Sequence, residues 1–399
     1  MPDGTPAALH RESESDQPCA SVVVPLHNSE RSVPALFDTL QRQTVANFEV
    51  LLVDDGSTDD TLAFCLAAAE MDRRFLVLHQ ENAGPGVARN TGIDAARGRW
   101  VAFLDHDDAL DPRFLEHMVD AGDSLDADVV VCQNERADTL WGDVFLDPEA
   151  WDAGDWPVAF DPREHPNKLF ETFRNWPWAK LFSRDFLAAH AIRFPALYRT
   201  EDLAFTCSAL ATAKRIALCD KALYRYTIND ATSSTGTRDA HALDFFDSCA
   251  ELKAFLDKNG LFGTYAETYT QWVALCCALN LVELNSRNAF AKAYRRLHDG
   301  GLVQLGIASP RRVLARRATG PAAGVVTNGD VDEILSIVER HVNTALGLAH
   351  LIRAGHGAQL VTPSGLRAVK DRWRHARTAA WRAKHLGTAE DTSRGCSGS

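Results

Sequence analysis

The sequence predicts an α/β fold: a mostly parallel, doubly wound sheet followed by a mainly helical C-terminal region. Three observations carry that reading. Apolar runs such as SVVVP at residues 21–25 and FEVLLV at 48–53 lack alternation, as expected of strands covered on both faces. A segment with helical spacing follows each run, so strand and helix alternate through the first hundred residues. From His241 onward the strand signals stop and helical spacing continues.

The totals agree with such a fold. A chain of 399 residues with 46% hydrophobic content has room for two domains and a sizeable core. A net charge of −12 and a pI near 5.6 argue against nucleic acid as a general partner. Nine cysteines without CxxC or CxxH spacing suggest neither a disulfide framework nor a zinc site, and read as buried thiols of a cytoplasmic protein. The N-terminus has no basic region followed by an apolar core, so no signal peptide is expected. The most apolar helical candidate, 272–282, is interrupted by Asn280 and falls far short of the roughly 20 residues a spanning helix needs.

Taken in order, residues 1–19 are polar and read as a disordered leader. The first strand, 21–25, leads to a helix over 33–43 with Ser32 placed to cap it. The second, 48–53, runs into Asp54, Asp55, Gly56 and Ser57, then a helix over 61–71. A third strand, 75–79, precedes a helix over 86–96 that Gly98 is expected to stop. The fourth, 101–104, ends in Asp105, His106, Asp107 and Asp108, with Pro112 opening the next element. A strand at 128–132 is followed by a loop-rich insertion, 134–175, dense in Trp and Pro. Thr200 can cap a helix that begins Glu201, Asp202. Two further strands, 215–218 and 223–226, and a Ser/Thr turn at 229–236 complete a first domain over 20–240. The second, 241–399, has helical spacing at 245–256, 268–284, 289–297 and 331–352, with a connector at 319–329. Its last segment, 366–386, is basic and amphipathic, and reads either as a surface for an anionic membrane or phosphate-rich polymer, or as a solvated docked helix.

In open α/β sheets ligands bind outside the carboxyl ends of the strands. The polar groups there are His27, Asn28 and Glu30, then Asp54 and Asp55, then Asp105 to Asp108, with the segment from Asn82 to Arg89 on the same rim. No GxGxxG follows the first strand and no GxxxxGK[ST] occurs, which removes the usual dinucleotide and P-loop readings. The aspartates after the fourth strand fit two readings equally: carboxylates for a divalent metal such as Mg²⁺ or Mn²⁺, or a solvated acidic turn before a helix. Alone, Glu201 and Asp202 read as ordinary first-turn acidity.

Together, VVVPLHNSE, NFEVLLVDDGSTDDT, ENAGPGVARNTGIDAARG and WVAFLDHDDALDP, in this order and spacing, resemble the nucleotide-sugar half of family 2 glycosyltransferases of the GT-A fold, including the bacterial polysaccharide and teichoic-acid types. With later motifs the resemblance covers about residues 21–235. It implies transfer of a sugar from a nucleoside diphosphate, most often UDP, with inversion at the anomeric carbon. It puts Pro25, His27 and Glu30 at the uridine, His27 standing where the family commonly has Tyr. Asp54 is then a uracil contact, and Asn82 and Arg89 further base and diphosphate contacts. Asp107 is implied as the Mn²⁺ or Mg²⁺ ligand, with Asp105 at the ribose or the metal, which leaves Asp108 and Asp111 as the helix cap and its flank. Asp202 would be the general base and Glu201 would hold the sugar or the base in place. In NWPWAKLFSRDFL, which also contains Trp176 and Lys180, Trp178 is the acceptor-side aromatic. Ser233 is implied to close over the diphosphate, with Thr227 where an Arg often stands. The expected acceptor is a cell-surface or secreted polysaccharide, free or lipid-linked. The alternatives are a protein, lipid-carrier or small-molecule acceptor, or a nucleotide-sugar-binding partner protein without turnover. The expected location is cytoplasmic, with peripheral membrane contact through the basic segment.

Overall fold

The computed structural model describes residues 7–8, 17–138, 144–146, 156–228, 238–284 and 286–307. The chain divides into units Met1–Val331 and Asp332–Ser399, and the described residues all belong to the first. The expected helix at 331–352, its connector and the basic segment at 366–386 lie outside the described residues.

The strands are β1 (Ala7–Ala8), β2 (Ala20–Leu26), β3 (Phe48–Asp55), β4 (Phe75–Gln80), β5 (Trp100–Phe103), β6 (Ala109–Leu110), β7 (Val129–Asp138), β8 (Val144–Leu146), β9 (Ala159–Phe160), β10 (Lys180–Ser183) and β11 (Ile216–Ile228). They form one sheet in the order β1-β4-β3-β2-β5-β10-β7-β11-β6, with β8 beside β7 and β9 beside β11. β4, β3, β2 and β5 run parallel, as do β7 and β11, while β10 lies antiparallel between β5 and β7. Every residue of β2 and β3 is buried, which is why their sequences show no alternation.

Helices α1 (Val33–Gln41), α2 (Thr61–Met71), α3 (Pro85–Ala95), α4 (Phe114–Ser124), α5 (Leu169–Phe173), α6 (Arg184–Ala189), α7 (Glu201–Thr212), α8 (Asp244–Lys258), α9 (Phe262–Glu283) and α10 (Arg287–Arg296), with short helical turns at Pro162–Glu164, Leu297–Gly301 and Leu302–Gln304, complete the described architecture. None of the described helices is long and apolar enough to cross a membrane. Two helices beyond residue 241 pack on helices of the preceding α/β region: α8 lies along α7, and α9 meets α5 through Phe170 and Tyr265.

An aromatic cluster ties the centre of the sheet to α7. Phe205 packs edge-on against Phe103 at 5.4 Å and Phe182 at 5.2 Å, and stacks on Phe194. All four rings are buried, each contributing roughly 1.5–3 kcal/mol of apolar burial. The cluster fixes β5 against α7, so residues just after Phe103 face residues just before Phe205. Those are Asp105 and the pair Glu201, Asp202.

Several local expectations are corrected. β10 was not expected as a strand; KLFS is too short to show a period, and its burial between β5 and β7 decides its state. The two strands expected at 215–218 and 223–226 are one, β11, whose register shifts between Cys219 and Tyr224 absorb the turn-like Asp220 and Lys221. β7 runs on through Asp138, into the stretch expected to be loop. Within the expected leader, Ala7 and Ala8 pair antiparallel with His79 and Leu78. Ser32 makes no cap bond; its hydroxyl donates to the Ser29 carbonyl and meets His106 Nδ1 at 2.8 Å. Gly98 does not cap α3, which ends at Ala95. A Cβ there would meet the Ser21 nitrogen at 2.4 Å, so the glycine serves a close approach to β2.

Candidate active site

At the carboxyl end of β5, Arg89 from α3 reaches across to two carboxylates. Its Nη2 donates to Asp105 Oδ1 at 2.8 Å and its Nη1 donates to Glu201 Oε1. The Arg89 and Glu201 side chains are buried, and Asp105 is half-buried. Burial opposes the guanidinium charge, but the two carboxylates outweigh it and hold Arg89 above its ordinary pKa. Burial raises the Glu201 carboxyl, with Arg89 pulling the other way. This ion triad joins the aspartate stretch to the N-terminus of α7 through residues that the sequence separates by more than a hundred positions.

Asp202 sits beside the triad, half-buried. Burial first, then the Glu201 charge, push its carboxyl up to about 7, against the pull of Arg89 and of a hydrogen bond from the Asn175 side chain. Lys180, whose Nζ donates to the Trp176 carbonyl at 2.7 Å, is pushed down to about 8 by burial. Thr200 occupies the N-cap position of α7, but in a left-handed conformation (φ 58°, ψ 15°) and without a side-chain cap bond, so the expected cap is absent.

The aspartates of the stretch divide in role. His106 turns to Ser32. Asp108, expected as a helix cap, is instead buried: its Oδ2 accepts from the Tyr224 hydroxyl at 2.6 Å and its Oδ1 from the Thr227 N–H at 2.8 Å. Burial, then the charges of Asp105 and Asp107, hold its carboxyl well above the usual range. Thr227 thus enters through its backbone N–H, while Arg225 pairs with Glu135. Asp107 is half-buried next to Asp108.

Among the described residues no three His, Cys, Asp or Glu side chains converge to hold a metal ion. Asp105 has one oxygen on Arg89 and Asp108 has both engaged. The donor set therefore fits a Mg²⁺ or Mn²⁺ that takes one or two carboxylates and completes its shell with phosphate oxygens and water, not an ion caged by protein alone.

On the other side of the crevice, His27 donates from Nδ1 to the Asp55 carbonyl at 2.8 Å, which leaves Nε2 to accept from Asn82 Nδ2 at 3.1 Å. Gly56 (φ 69°) lets the turn after β3 press on this segment, since a Cβ there would lie 2.7 Å from the Asn82 nitrogen. Asp55, given no role from the sequence, holds the loop: its carboxylate accepts from Gln80 Nε2, Ala83 N–H and Gly84 N–H at 2.7–2.9 Å. Strand alternation was the signal that could have found it, because consecutive residues of β3 face opposite ways and only one can face α3.

The remaining site candidates are dispersed. Asp54 is fully buried, paired with His79 Nδ1 at 2.7 Å, and its Oδ1 has no hydrogen-bond partner. Pro25 is buried in β2, and Glu30 contacts the backbone of Asp60. Trp178, expected as an acceptor platform, is only 5% exposed, with Trp176 stacked at 4.5 Å, Tyr224 at 4.9 Å and Tyr226 at 5.1 Å. It supports Tyr224, and through that hydroxyl Asp108, and presents no open face to a sugar. Ser233 lies outside the described residues.

With this geometry in hand, comparison with known proteins is informative. The family model "Glycosyl transferase family 2" matches residues 21–190. The chain is 31% identical over 303 residues to the putative glycosyltransferase EpsH of Bacillus subtilis, covering 72% of this chain and 83% of that protein. It is 33% identical over 249 residues to the succinoglycan biosynthesis protein ExoO of Rhizobium meliloti, covering 62% and 70%. The crystal structure of S. aureus TarS 1-349 in complex with UDP-GlcNAc aligns at 22% identity and a TM-score of 0.46, over 70% of this chain and 90% of that one. The identity to EpsH and to ExoO, over more than two thirds of each of those proteins, makes this chain a member of glycosyltransferase family 2.

Proposed function

We propose that the chain catalyses metal-dependent, inverting transfer of a sugar from a nucleoside diphosphate sugar, a UDP-sugar, to a hydroxyl of a polysaccharide acceptor. The observation that carries this reading is Asp202: a carboxylate at a helix N-terminus, tuned towards neutrality, fixed beside the Asp105–Arg89–Glu201 triad. The name of ExoO, a succinoglycan biosynthesis protein, supports the polysaccharide acceptor.

In the reaction, Asp202 accepts the proton of the acceptor hydroxyl as that oxygen bonds to the anomeric carbon and the bond to the diphosphate breaks. One base suffices for direct displacement with inversion. Glu201 and Arg89 keep Asp105 and Asp202 at a fixed separation across the sugar. His27 and Asn82 border the base end of the crevice, on the loop that Asp55 holds. Asp107, with Asp105, would hold Mn²⁺ or Mg²⁺, which when bound would supply charge stabilisation to the departing diphosphate.

The test is a panel of nucleotide sugars with Mn²⁺ or Mg²⁺, read by nucleoside diphosphate release with and without oligosaccharide acceptors. Donor binding without hydrolysis or transfer under any acceptor would favour a non-catalytic binding protein. Asp107→Asn is expected to weaken UDP binding about 10-fold or more in the presence of Mn²⁺ and to leave metal-free binding unchanged, since loss of one ligand is worth on the order of 1.4 kcal/mol or more. Titrations that superimpose on the wild type would remove Asp107 from the metal.

A further inference from the structure

Thr200 is a β-branched residue in the left-handed region, immediately before Glu201 and Asp202. Such residues avoid that conformation unless their surroundings impose it. Its side chain makes no cap bond, so the restraint comes from elsewhere. It comes from α8. Ser248 is fully buried, and its hydroxyl donates to the Thr200 carbonyl at 2.6 Å while accepting from the Ala204 N–H at 3.3 Å. One turn earlier on the same face, Asp244 Oδ2 accepts from the N–H groups of Tyr198 and Arg199 at 3.0 and 3.1 Å. Residues 198–200 are therefore fastened by two side chains of one helix, while Arg89 and Asn175 bond Glu201 and Asp202.

We propose that Asp244 and Ser248 are positioning residues for sugar transfer: they hold the strained turn at Thr200 and thereby set where the Asp202 carboxylate meets the acceptor hydroxyl. The inference rests on the reading of Asp202 as the base. It gives α8 a part in the reaction through its hold on the Thr200 turn.

The test is steady-state kinetics and donor binding on the full chain. Ser248→Ala is expected to lower kcat by about 10- to 100-fold, the scale of a small misplacement of a reacting group, with donor Kd and KM within about twofold of wild type. Thr200→Gly supplies the second arm, because glycine adopts this φ without strain. In that background the loss from Ser248→Ala is expected to shrink by about fivefold or more, a rescue that a purely structural serine would not show. A kcat for Ser248→Ala within twofold of wild type overturns the proposal, as does a loss that Thr200→Gly leaves undiminished or one in which kcat and donor-binding capacity fall together. Asp202→Asn, measured alongside, separates the two claims. Turnover retained there removes the base and the proposal with it. Turnover lost there, with Ser248→Ala fully active, overturns the clamp alone.

Discussion

Asp202→Asn is expected to lower kcat by about 10²–10⁴-fold, the range for loss of a general base, and to leave the donor Kd within about threefold. The amide keeps the size of the carboxylate and can still meet Asn175 through its oxygen, so crevice and triad stay in place. The same group sets the pH dependence. Its carboxyl titrates at about 7, and the ionised form is the base. In wild type, kcat/KM should rise about tenfold per pH unit below that value and level off above it. For stability the sign is opposite. A carboxyl raised in the folded state binds its proton more tightly there than in the unfolded chain. The stability it contributes is fully present below its ordinary value of 3.8 and is lost as pH rises through about 7. Asp202→Asn should therefore raise the melting temperature at pH 8 and change it little at pH 4. A variant that keeps turnover, or a wild-type profile flat between pH 5 and 8, would take the base role from Asp202.

How much of this was legible beforehand varies with the kind of signal. The parallel half of the sheet was readable because burial on both faces writes continuous apolar runs, and helices with their own period separate them. The aspartate stretch and the Glu201–Asp202 pair were readable as motifs, and each alone had an ordinary explanation. What the sequence could not show is their junction. Arg89 meets Glu201 only because Phe205 stacks in the cluster with Phe103, Phe182 and Phe194, an accident of tertiary packing that leaves no local period. At the level of single residues, the direction a side chain takes is set by packing that the sequence does not display. Trp178 has the aromatic body that suits a sugar, but its faces are covered by Trp176, Tyr224 and Tyr226. Asp108 looked like a cap because it precedes a helix, yet the Tyr224 hydroxyl and the Thr227 N–H of β11 claim it. Thr200 has the right residue type for a cap and the wrong backbone conformation for one.

Arg89→Met is expected to be among the most damaging single changes to the fold. The guanidinium is the shared counter-charge of Asp105 and Glu201, and its removal leaves Glu201, with a side chain only 9% exposed, facing a second carboxylate. Breaking a buried pair by deleting one partner costs about 3–5 kcal/mol, whereas an exposed pair contributes about 0–1 kcal/mol. Arg42, whose pairing with Asp38 is solvent-exposed, is the control: Arg42→Met should be nearly silent in the same denaturation series. Lysine is not an adequate substitute, because one ammonium cannot reproduce two parallel arms of a fork aimed at separate carboxylates, so Arg89→Lys should fall between the two. The pH dependence identifies the mechanism. Without Arg89, the Glu201 carboxyl rises further above its ordinary value, so the variant's stability is greatest at low pH and declines as pH rises through the shifted value. The deficit should therefore be larger at pH 8 than at pH 5, and Glu201→Gln in the Arg89→Met background should recover part of it. Equal losses at both pH values, without recovery in the double variant, would mean that Arg89 stabilises through its contact with the Phe194 ring and not through its carboxylate pairs. In either event donor turnover should fall with Arg89→Met, but only the electrostatic account predicts that Glu201→Gln restores stability while leaving turnover impaired, because the amide cannot hold Asp105 and Asp202 apart in the way the ion triad does.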